Sequence, residues 1–69
     1  MTAATLTRRQ HEVDEQVRHV RDLVFVRTLL AERGADAVEL AECDAEIERQ
    51  RDRLAGLARA SAEDVSAAA

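Results

Sequence analysis

His11, Glu15 and His19 stand at successive four-residue steps. On a helix that spacing aligns two imidazoles and a carboxylate along one face, where they can share a metal ion, and two such faces can build a site in a helical bundle. The Glu-x-x-His step used by bundles that hold two metal ions is absent, which favours surface histidines pairing with Glu15 over a metal-binding bundle. Cys43 is the single cysteine, so no intramolecular disulfide forms and no cysteine cluster awaits zinc. Its place in the expected seam between the helices, opposite Val24, makes it a small core residue rather than a nucleophile. No glycine-rich phosphate loop, Ser/His/Asp arrangement or row of aromatic platforms occurs. The chain is expected to be non-catalytic and to need no cofactor.

The elements that position these residues follow from the punctuation. Proline is absent, Phe25 is the single aromatic residue, and Gly34 and Gly56 are the two glycines, a composition that suits helices and argues against strands. Thr7 with Gln10 three residues on has the form of a capping box, so a first helix is expected over about 8–33. Gly34 occupies the place of a left-handed C-cap. Asp36 with Glu39 repeats the capping spacing, which puts a turn at 34–36 and a second helix at about 37–60. A connection this short joins antiparallel neighbours. Residues 1–6 are expected to be flexible. Residues 61–69, small and alanine-rich, are expected to be frayed.

Periodicity supports the hairpin. Leu40, Cys43, Ile47, Gln50, Leu54 and Leu57 alternate three- and four-residue steps, the spacing of a coiled-coil seam, and Val13, Val17, Val20 and Val24 do the same. Folded at Gly34, the two stripes face each other, with Val24 against Cys43, Val20 against Ile47, Val17 against Gln50 and Val13 against Leu54. The fold class is therefore all-α, an antiparallel two-helix coiled-coil hairpin.

One seam does not use all the apolar surface. Leu23, Phe25, Val26, Leu29 and Leu30 spread over more of the first helix than a single neighbour covers, since each residue advances about 100°. Such surplus marks an interface. A chain of 69 residues is also too short to be stabilised easily by its own core. The expected solution is a homodimer that closes into a four-helix bundle, with a protein partner of another kind as the alternative.

Asp36, Glu39 and Glu42 form an acidic tip, while arginines gather toward the open end. The segment Gly34-Ala-Asp36-Ala-Val-Glu39 resembles the acidic hairpin tip of Gre-type transcript-cleavage factors, in which an Asp and a Glu three residues apart enter the RNA polymerase secondary channel. The likeness spans these few residues and the hairpin shape. The flanking residues and the second, globular domain of that family are missing, and helix capping accounts for both acids. It implies an alternative role as a transcription-complex regulator docking through a charged end. In length and turn position the chain is also similar to small dimeric hairpins of the plasmid copy-number regulator type, which bind RNA pairs. A net charge of -4 argues against nucleic acid and anionic membranes as partners. No apolar run reaches membrane-spanning length and Met1–Thr7 has no apolar signal core, so a cytoplasmic location is expected.

Overall fold

The computed structural model describes residues 3–68. Two helices make up the fold, α1 (Ala3–Glu32) and α2 (Ala37–Ala68). Arg9 meets Asp64, Gln16 meets Gln50 and Arg27 meets Asp44, so rising numbers in α1 oppose falling numbers in α2 and the helices run antiparallel. The hairpin measures 50 × 15 × 11 Å, close to the ~45 Å that thirty residues span at 1.5 Å each.

The turn is built from local hydrogen bonds. Gly34 takes φ 84°, the left-handed conformation that ends a helix most easily without a Cβ. Ala35 N–H donates to Leu30 O at 2.9 Å and Gly34 N–H to Ala31 O at 3.1 Å, the paired bonds of a Schellman motif. Two residues later Asp36 caps α2, accepting Glu39 N–H on Oδ1 at 2.8 Å. The last free carbonyls of one helix and the first free amides of the next are thus partly satisfied within the ten residues from Leu30 to Glu39.

Both helices outrun the expected limits. Thr7 is not an N-cap. It lies inside α1 and its hydroxyl donates to Ala3 O at 2.9 Å, while Gln10 bonds to Asp14. No glycine or proline separates Ala3 from Arg8, so the alanines simply prolong the helix. Met1 and Thr2, part of the expected flexible segment, lie outside the described residues. At the other end α2 continues through 61–68 rather than fraying at Ala60. Ser61 and Asp64 extend its seam, and Arg9 Nε donates to Asp64 Oδ2 at 2.9 Å. Ala69 lies outside the described residues.

In α2 the seam runs through Leu40, Cys43, Ile47, Gln50, Leu54 and Leu57, all at least half-buried. In α1 it is rotated from the valine stripe. The inward positions are Arg9, Val13, Gln16, Val20, Leu23, Arg27 and Leu30, again in three- and four-residue steps. Val24 points outward at 38 % exposure, so it is not part of the core and does not face Cys43. Val17 stays half-buried at the seam's edge, and Gln16 rather than Val17 meets Gln50. The valine stripe and this second stripe share a period. Leu23 and Leu30, larger than valine, fill the seam better, and Gln16 finds a hydrogen-bond partner there.

The resulting core is slight. Ile47, at 5 % exposure, is the one buried hydrophobic residue among those described, and no side chain is completely enclosed. Among the described residues Gln16 is the buried polar one.

Candidate functional site

A seven-residue step keeps side chains on one flank of a coiled coil. Glu12, His19 and Val26 of α1 share one flank of the hairpin with Glu39, Glu46 and Arg53 of α2, and two clefts open along it. The first, near the turn, has a volume of about 380 Å³ and a floor of Leu23, Val26, Leu30 and Cys43. Glu39, Glu42 and Glu46 form its rim on the α2 side. The second, toward the open end, has a volume of about 360 Å³ and is polar, with Glu12, Glu15 and His19 facing Arg53.

The surplus apolar residues continue from the first cleft around α1. Leu23 and Leu30 stand on the seam, so they serve the hairpin itself as well as the cleft. Val26 is next around the helix, then Leu29, then Phe25, which is 63 % exposed. This arc spreads from the seam to one side. On the other side the flank is closed by Arg27, whose Nε donates to Asp44 Oδ1 at 2.7 Å. That hydrogen bond, then the nearby carboxylate charge, raises the Arg27 pKa further above its ordinary value.

Between the two clefts lies a chain of polar contacts. Gln16 Nε2 donates to Gln50 O at 3.0 Å and to Gln50 Oε1 at 2.9 Å. Gln50 Nε2 donates to Glu46 Oε1 at 2.8 Å, and Arg49 Nε donates to Glu46 Oε2 at 2.9 Å. The bond from Gln50, then that from Arg49, holds the Glu46 carboxyl below the usual carboxylate range. Among the described residues no buried side-chain polar atom is left without a partner. Gln16 escaped notice in the sequence because the neighbouring valines offered a more apolar stripe. Its signal was the seven-residue spacing Arg9, Gln16, Leu23, Leu30, which matches the polar Gln50 across the seam.

The remaining candidates do not converge. His11 Nε2 sits 3.3 Å from Glu15 Oε1, both exposed. Among the described residues no three His, Cys, Asp or Glu side chains stand where they could hold a metal ion. At the acidic tip Asp36, Glu39 and Glu42 are exposed, and the Asp36 carboxylate is occupied with capping α2. Among the described residues no helix is long and apolar enough to cross a membrane. Comparison with protein-family models, with curated proteins and with solved structures finds no match to this chain.

Proposed function

We propose that this chain is a non-catalytic protein–protein interaction module, a helical hairpin that acts by packing its apolar flank against further helices, and that two copies close a four-helix bundle. The observation that carries this reading is the imbalance between core and surface. Among the described residues one hydrophobic side chain is buried within the hairpin, while Val26 stands exposed on an apolar cleft and Phe25 stands exposed farther around α1. Fully covering a valine or phenylalanine side chain contributes about 1.5–3 kcal/mol. Two more helices on that flank would therefore add stability of the size that a small domain lacks. The polar pair Gln16–Gln50 supports the same reading, since a satisfied polar layer in a seam favours one register of packing over others.

Light scattering and sedimentation equilibrium test the proposal. The expected mass is twice the 7.6 kDa of one chain, and replacing Phe25 and Leu29 by glutamate is expected to return it to the monomer with the helices retained. A protein that stays monomeric at all concentrations and still unfolds cooperatively would overturn it.

A further inference from the structure

Along the cleft flank of α2, Glu39, Glu42, Glu46, Arg49 and Arg53 follow one another in three- and four-residue steps. The row is acidic toward the turn and basic toward the open end, and its sign changes between Glu46 and Arg49. A row of this form complements itself when run backwards. Two copies of α2 laid antiparallel about that point bring Glu42 opposite Arg53 of the second copy, and Arg53 opposite its Glu42. Among the described residues Glu39, Glu42 and Arg53 join none of the ion pairs within the hairpin, so they are free to do so.

The distribution of net charge points the same way. From residue 23 to 47 the chain carries Glu32, Asp36, Glu39, Glu42, Asp44 and Glu46 against Arg27 and Arg33, and this half holds the whole net charge of -4. Two hairpins with their turns together would set these like charges side by side at one end. With turns at opposite ends, each acidic half lies along a half with no net charge. Leu23 and Val26 are within about a turn of the level of Ile47, judged from the Gln16–Gln50 and Arg27–Asp44 contacts, so the inner ends of both apolar arcs meet near the centre.

We propose, building on the self-association above, that the occupant of the cleft flank is a second copy of this chain with its turn at the opposite end, related by a two-fold axis at the level between Glu46 and Arg49. The Glu42–Arg53 contact, made twice by symmetry, sets the direction.

Spin labels placed at Ala35→Cys in a Cys43→Ser background read the arrangement directly. The expected distance between the two labels is about 35–40 Å, twice the run from Ala35 to the axis at 1.5 Å per residue. Glu42→Arg or Arg53→Glu alone is expected to weaken dimerisation on the order of tenfold, and the double reversal to restore it. A dimer whose turn labels lie at about 10–20 Å, the breadth of a bundle, overturns this arrangement and leaves self-association standing. Single reversals without effect, or a double reversal that fails to rescue, also overturn it. A monomer at every concentration overturns both, and leaves the cleft to a different protein.

Discussion

Gln16 places its side-chain amide 2.9 Å from Gln50 Oε1 and 3.0 Å from the Gln50 carbonyl, so the middle of the seam is a polar layer between apolar ones. Gln16 is 8 % exposed, while Gln50 is half-buried and donates its own amide N–H to Glu46. Removing one partner leaves a sheltered acceptor unmet. Replacing both by apolar residues leaves nothing to satisfy. Gln16→Leu is therefore expected to cost about 1 kcal/mol, and Gln16→Leu with Gln50→Leu to be neutral or stabilising. Urea denaturation of the four proteins in a double-mutant cycle checks this.

Among the described residues Ile47 is the one hydrophobic side chain the hairpin buries on its own. Ile47→Ala is expected to destabilise by about 2–4 kcal/mol, the usual range for such a truncation. Against so small a core this is expected to remove the cooperative transition altogether. Circular dichroism during thermal melting would show it, and a mutant that melts within a few degrees of the original would contradict the central place given to this side chain.

Gly34 has a positive φ and no atom within 4 Å of where a Cβ would stand. Substitution there meets no steric neighbour, so the cost is conformational alone. Gly34→Ala is expected to lose about 1 kcal/mol, and Gly34→Asn less, because asparagine tolerates the left-handed region. Chemical denaturation of the two variants orders them.

The pair Arg9–Asp64 ties the last turns of α2 to the start of α1, with Asp64 15 % exposed and Arg9 more open. Asp64→Asn is expected to cost under about 1 kcal/mol overall, since one partner is partly solvated. Its clearer effect is local. Amide hydrogens over 60–68 are expected to exchange several-fold faster, while those around Ile47 keep their protection. Uniform acceleration along α2 would show that the pair supports the whole hairpin instead.

Glu46 is held below the ordinary carboxylate range by Gln50 first and Arg49 second. The folded chain therefore takes up this proton less readily than the unfolded one. Its contribution is complete above the unfolded value, about 4.3, and is lost as the pH falls through the lower folded value. Glu46→Gln is expected to flatten that part of the stability profile between about pH 5 and 3 without changing its shape at pH 7 to 8. Melting temperatures of both proteins across that range decide the matter.

Much of the fold was legible in the chain. Gly34 and Asp36 are residue types whose local chemistry ends and starts a helix, and the bonds they make reach no farther than five residues. In α2 the stripe from Leu40 to Leu57 had no apolar rival, so period alone placed it. Helix ends were less legible, because Thr7 reads equally as a cap and as an interior residue bonding back to Ala3, and no breaker stands near either terminus to choose.

The face of α1 was the step that sequence left open. Valines at 13, 17, 20 and 24 and the set Val13, Gln16, Val20, Leu23, Arg27 and Leu30 both satisfy a helical repeat, and hydropathy favours the valines. Residue type and spacing determined that two helices form, where they turn, and which side of α2 faces inward, because each of these rests on neighbours within one or two turns. Only the tertiary structure decided that Gln16 goes in and Val24 stays out. That choice depends on Gln50, Asp44 and Asp64, which are distant in the chain and reach Gln16, Arg27 and Arg9 only after the helices have packed.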